Sequence, residues 1–126
     1  MTAGGAALLF GGWAAFANRD HPVAAIAGAT AAQACLSAAS TFAAVLLLEL
    51  LFGLGRTPLV RFLAGALATP LCILLVMAGV HWAVGTPRIL VTIAPSIASG
   101  TLFCTVYTLG LLASLRRRAR GEAQAP

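Results

Sequence analysis

The chain has 126 residues, of which 60% are hydrophobic and 9% charged, with a formal net charge of +5 and a mean hydropathy of +0.97. An average soluble domain is about 25% charged, and a soluble helical core needs charge on the outer face of every helix. This composition therefore excludes an ordinary soluble globule and points to one all-α membrane domain. The positive charge does not call for nucleic acid, because four of the eight arginines lie in the last eleven residues, where a basic tail beside anionic lipid accounts for them.

Every charged residue except Glu49 falls in one of four windows: Arg19 and Asp20, then Arg56 and Arg61, then Arg88, then Arg116 to Glu122. The apolar stretches between them are long enough to cross a bilayer. They predict a bundle of four transmembrane helices at about 3–17, 23–54, 62–85 and 89–115, with short loops, forming one domain over 1–115. A disordered basic tail is expected over 116–126.

The first segment, AGGAALLFGGWAAFA, is the shortest. As a helix it reaches only about 25 Å, less than the ~30 Å hydrocarbon core, so the bundle has three spans if this segment fails to cross. Ala15-Phe16-Ala17 fits the small-x-small pattern of a cleavage site, but no basic side chain precedes the apolar run, as a signal peptide requires. Gly11 and Gly12 are expected to let another backbone approach. Trp13 suits the membrane interface just before loop one.

Loop one, NRDHP, ends in a proline, and the second segment then runs from Val23 to Gly55 with Glu49 as its only charge. Ala24, Gly28 and Ala32 recur every fourth residue, a register that permits close helix contact. Thr30, Gln33, Ser37 and Thr41 fall on one helical face, which reads first as a stripe of interhelical hydrogen bonds and alternatively as a polar path. Glu49 is an intramembrane acid near the end of its helix. Arg56 lies seven residues on, on nearly the same face, and an ion pair of Glu49 with Arg56 or Arg61 is expected, with a proton- or cation-coupling site as the alternative.

Pro70 and Pro95 lie inside the third and fourth segments and free the carbonyls of Ala66 and Val91, for which Thr69 and Ser96 are the adjacent hydroxyls. The fourth segment carries two polar stripes, Thr92, Ser96 and Ser99 on one side and Thr101, Thr105 and Thr108 on another. Two stripes imply contacts on two sides. Cys35, Cys72 and Cys104 each fall near the middle of a different apolar segment and read as packing residues, since no C-x-x-C spacing brings them together as metal ligands.

With four spans, the amino terminus, loop two and the tail share one side, which holds six arginines, whereas the other holds Arg19 and Arg88. The positive-inside bias then makes both termini cytoplasmic, the tail independently of the span count. His21 and His81 would lie towards the external face, with Asp20 beside the first. Nothing in their spacing enforces a shared metal, and His81 beside Trp82 reads as an interface marker. No metal or cofactor is expected, and no G-x-S-x-G elbow, H-E-x-x-H pair or phosphate-binding glycine loop suggests an enzyme.

The segments GGWAAFANRDH and HWAVGTPRILVTIAPS resemble those of small uncharacterised four-helix inner-membrane proteins of Gram-negative bacteria. That resemblance implies a multi-pass protein of the bacterial inner membrane and no particular activity. The residues themselves favour an accessory or assembly subunit whose small-residue and hydroxyl faces bind partner helices, either of its own kind or in a larger complex. A minimal oligomeric transporter or channel for a small solute or ion is the alternative.

Overall fold

The computed structural model describes residues 2–122, which form four helices: α1 (Ala3–Ala17), α2 (Val23–Leu54), α3 (Pro58–Ala83) and α4 (Ile89–Glu122), with no strand among the described residues. Three of them, α2, α3 and α4, are long and apolar enough to cross a membrane, while α1 is a shorter apolar helix. Three boundaries differ from the sequence expectation, the smallest being that α3 ends at Ala83 rather than at 85. Helix α3 starts at Pro58 because the Thr57 hydroxyl accepts from the Val60 amide at 3.3 Å and proline suits the first helical position, where its missing N–H has no helical partner. Helix α4 continues through Arg116, Arg117, Arg118 and Arg120, where a disordered tail was expected. Leucine, serine, alanine and arginine are compatible with helix, and no breaker intervenes before Gly121. The rest of the predicted tail, 123–126, lies outside the described residues.

Helix α1 packs along α2 and also meets α4, but no described Cα of α1 comes within 8 Å of one in α3. Helices α1 and α2 come close at Gly11, where an added Cβ would lie 3.1 Å from the Ala34 Cβ and 3.5 Å from the Thr30 carbonyl oxygen. Gly12 faces open space. The Ala24, Gly28 and Ala32 register is not the tight seam: Ala24 is exposed, and a Cβ on Gly28 would meet only the Val84 carbonyl, at 4.0 Å.

Each loop is fastened by hydrogen bonds that also finish a helix. In loop one the buried Asn18 side chain donates to the Ala14 carbonyl at 2.9 Å and to Thr92 Oγ1 at 2.9 Å. Its oxygen accepts from the Arg88 amide at 3.2 Å, so the end of α1 supplies a capping oxygen just before α4 begins. In loop two the Arg61 Nε donates to the Gly55 carbonyl at 2.9 Å, and its guanidinium lies 5.4 Å from the Phe52 ring centroid, closing the end of α2. In loop three Gly85 adopts φ +71°. The Gly85 amide donates to Trp82 O at 3.1 Å and the Thr86 amide to His81 O at 2.9 Å, the paired bonds of a Schellman turn that a left-handed glycine makes possible.

Neither internal proline has its freed carbonyl met by the expected hydroxyl. Ahead of Pro70, α3 widens into a π segment over Ala64–Ala68, and the Thr69 amide bonds to the Ala64 carbonyl. The Thr69 hydroxyl donates to that same oxygen at 3.2 Å rather than serving Ala66. At Pro95 the freed Val91 carbonyl accepts from Trp13 Nε1 at 2.9 Å, while Ser96 donates to Ile93 O at 2.9 Å. Trp13 is thus a structural donor as well as a half-exposed aromatic near the helix end.

The interior is more polar than the exterior. Among the largest fully buried side chains are Asn18, Gln33, Thr69, His81, Thr92 and Thr108, whereas Leu8, Val23, Leu46, Trp82 and Leu90 are each more than two-thirds exposed. That distribution suits lipid as the surrounding solvent, because polar groups then gain by turning inward and apolar ones lose nothing by facing out. A small apolar core of Leu48, Phe52 and Cys104 holds α2 to α4, with Tyr107 and Leu111 packed against it.

Candidate functional site

The polar stripe of α2 faces the bundle: Gln33 and Ser37 are buried, and Thr30 and Thr41 half-buried. Gln33 is its hub. The amide Nε2 donates to Ser96 Oγ at 2.9 Å and to Ser37 Oγ at 3.2 Å, and Oε1 lies 2.7 Å from His81 Nε2. On the far side of the imidazole, Nδ1 is 2.8 Å from Thr86 Oγ1. Because the Gln33 carbonyl can only accept, the imidazole proton sits on Nε2 and the Thr86 hydroxyl donates to Nδ1. Side chains of α2, α3, loop three and α4 therefore meet in one satisfied network.

His81 is wholly buried within the bundle, whereas its neighbour Trp82 is exposed. The Schellman turn at Gly85 folds Thr86 back over one ring nitrogen, and Gln33 meets the other. A buried imidazole is tolerated when both nitrogens are paired.

The other stripe residues separate into three environments. Thr92 leaves the network, taking the Asn18 bond while donating to Arg88 O at 2.7 Å. Thr30, beside the Gly11 contact, has a buried hydroxyl with no partner among the described residues. Thr41 and Ser99 border a cleft of about 350 Å³ in the bundle, together with Ser37, Ser40 and Ser96. Its walls include Phe10 of α1, Pro70, Ile73 and Met77 of α3, and Phe103 of α4, and no charged side chain lines it. The polar faces of α2 and α4 thus converge around one concave space.

Glu49 stands apart from that space. The Tyr107 hydroxyl donates to its carboxylate at 2.6 Å, and the ion pairs among the described residues are Arg19–Asp20 and Arg88–Asp20, each at 3.8 Å. The expected pair of Glu49 with Arg56 or Arg61 is therefore replaced. Arg56 is exposed and follows Gly55, whose extended backbone ends the helix, so the seven-residue helical repeat no longer places it beneath Glu49. Helix α4 lies against α2 at Leu48 and Phe52 and brings Tyr107 there instead.

The cysteines also divide. Cys104 is buried in the α2–α4 core, as expected of a packing residue, but Cys35 and Cys72 are exposed. Cys35 belongs to the outer face of α2, with Ala24, Ala27, Ala31 and Ala39. Three residues central to the geometry were not singled out as site residues by the sequence reading: Asn18, His81 and Thr86. The available signal was the glycine in His81-Trp82-Ala83-Val84-Gly85-Thr86, a helix-end pattern that brings the sixth residue back to the first. Compared with protein families, with curated proteins and with solved structures, the chain matches none.

Proposed function

We propose that this is a small multi-pass membrane protein acting as an accessory or assembly subunit that binds the helices of partner proteins. In this reading α2, α3 and α4 cross the bilayer and α1 forms a short fourth span. Both termini lie in the cytoplasm of a Gram-negative bacterium, because six of the eight arginines then fall on the inner side. The observation that carries the functional reading is the outer face of α2, where Ala24, Ala27, Ala31, Cys35 and Ala39 are exposed in a helical row while Gln33 and Ser37 of the same helix are buried and bonded within the bundle. In lipid, association depends on close backbone approach, which small side chains allow.

Cys35 gives a direct test, since its thiol lies on that face. A maleimide photocrosslinker attached there in a Cys72→Ala background, in native membranes, should capture one defined partner, either another copy or a different membrane protein. The adduct should disappear in the Ala31→Leu variant. A protein that remains a single uncrosslinked chain in native-membrane nanodiscs would overturn the reading.

The minimal oligomeric transporter or channel remains the second reading, with the hydroxyl-lined cleft as the observation in its favour. Glu49 does not border that cleft, and it stands about 39 Å along α2 from Val23 at 1.5 Å per residue, farther than a ~30 Å hydrocarbon core extends. A carboxylate so placed belongs near the cytoplasmic interface rather than at the midplane. Solute flux in vesicles that survives Glu49→Gln but stops when the cleft is filled would favour this reading over the first.

A further inference from the structure

We infer that the cleft is a binding site for an uncharged amphiphile, a molecule with an apolar chain and a hydrogen-bond-donating head such as an alcohol, drawn laterally from the bilayer. The inference rests on the membrane reading above and on neither proposed role.

Shape is the first argument. Helix α1 has only 15 residues and does not reach α3, so the space bordered by Phe10 of α1, Ile73 of α3 and Phe103 of α4 remains unfilled. Its volume of about 350 Å³ holds about a dozen water- or methylene-sized groups, which is within the range of small-ligand pockets.

Hydrogen bonding is the second, and it selects the head group. Ser40 and Thr41 both donate to the Ser37 carbonyl, at 3.3 and 2.8 Å, and Ser99 donates to the Ser96 carbonyl at 3.1 Å. With their protons committed to the backbone, these three oxygens have lone pairs left to offer. A ligand that donates is satisfied there, whereas one that only accepts meets acceptors. Charge is the third: no ionisable side chain lines the cleft, so an ion entering from lipid would lack a counter-charge. The walls accept the chain, the three hydroxyls accept the head, and the absence of charge selects a neutral molecule.

Decanol, with eleven heavy atoms, is a suitable probe, and decane is the matched control without a donor. Full-length protein in lipid nanodiscs should gain on the order of 5 to 10 °C in Tm when decanol exceeds its Kd a hundredfold, and decane should bind about three- to tenfold more weakly. Gly100 borders the cleft, and a Cβ there meets nothing within 4 Å, so Gly100→Leu can occupy the space without a clash at its first carbon. This variant should unfold at or above the wild-type Tm and lose the decanol shift. A Ser40→Ala/Thr41→Val/Ser99→Ala variant should keep decane binding and lose the preference for decanol. Equal binding of decane and decanol by the wild type overturns the inference, as does a shift that persists in Gly100→Leu. So does a second copy of the chain found covering the cleft in nanodiscs. Carbonate extraction of native membranes reports insertion separately, so failure of the membrane reading is distinguishable from failure of the site.

Discussion

Trp13 and Val91 are joined by a hydrogen bond that neither residue's own helix can supply. The indole Nε1 of α1 reaches the Val91 carbonyl of α4 at 2.9 Å, and that carbonyl lacks its helical donor because Pro95 stands four residues later. The proline that weakens one helix thereby creates the acceptor that fastens another to it. Asn18 makes a second tie between the same helices through Thr92, so the short α1 is held to α4 by polar bonds near loop one.

Trp13→Phe should therefore lower stability by about 0.5 to 1.5 kcal/mol, the net worth of one hydrogen bond to a carbonyl that its own helix leaves without a donor. The test is a double-mutant cycle of thermal unfolding in detergent with Pro95→Ala, which restores the missing amide. In the Pro95→Ala background the Trp13→Phe effect should shrink to its packing component. An undiminished effect would show that the hydrogen bond carries none of it.

Gln33 and His81 should be strongly coupled. Removing either side chain leaves the other buried with an unmet polar atom, at about 1 to 3 kcal/mol each, whereas replacing both with leucine removes the unmet pair together. The Gln33→Leu/His81→Leu double variant should consequently be less destabilised than the sum of the singles by about 0.5 to 3 kcal/mol. Additive losses in unfolding midpoints would deny the pairing seen at 2.7 Å.

Gly85→Ala tests the turn that presents Thr86 to the imidazole. A left-handed φ of +71° costs an alanine roughly 1 to 2 kcal/mol, and relaxing it would move the Thr86 amide away from the His81 carbonyl. The variant should lose stability by about that amount, and a His81 ring-nitrogen NMR signal should shift as Nδ1 loses its donor. An unchanged signal would mean that Thr86 is held by something other than the turn.

Much of this arrangement was legible in the sequence because it depends on local pattern. The apolar stretches marked all four helices, and period-3.6 spacing put Gln33, Ser37 and Ser96 on inward faces. Pairings between distant segments were not legible. Glu49 and Arg56 share a helical face only if the helix continues past Gly55, which it does not, and the choice of Tyr107 as partner depends on how α4 lies beside α2. His81 likewise stands near a helix end, where sequence position suggests an interface. Helix α2 extends far enough along the bundle for Gln33 to meet it inside.

Gly65 and Thr108 supply the last prediction. Gly65 lies in the π segment of α3, and a Cβ placed on it would collide with the Thr108 hydroxyl of α4. That hydroxyl is itself buried without a partner among the described residues, so it contributes close packing but no bond. Gly65→Ala should destabilise by about 1 to 3 kcal/mol through overpacking. Thr108→Val keeps the shape while removing an unsatisfied polar group, and should be neutral or stabilising. Thr108→Ala opens the space a methyl at 65 needs, so Gly65→Ala/Thr108→Ala should recover much of the first loss. Thermal unfolding of the three variants decides the matter: a stability loss on Thr108→Val would reveal a bonding role for the hydroxyl, and no recovery in the double variant would place the cost of Gly65→Ala in the π segment itself.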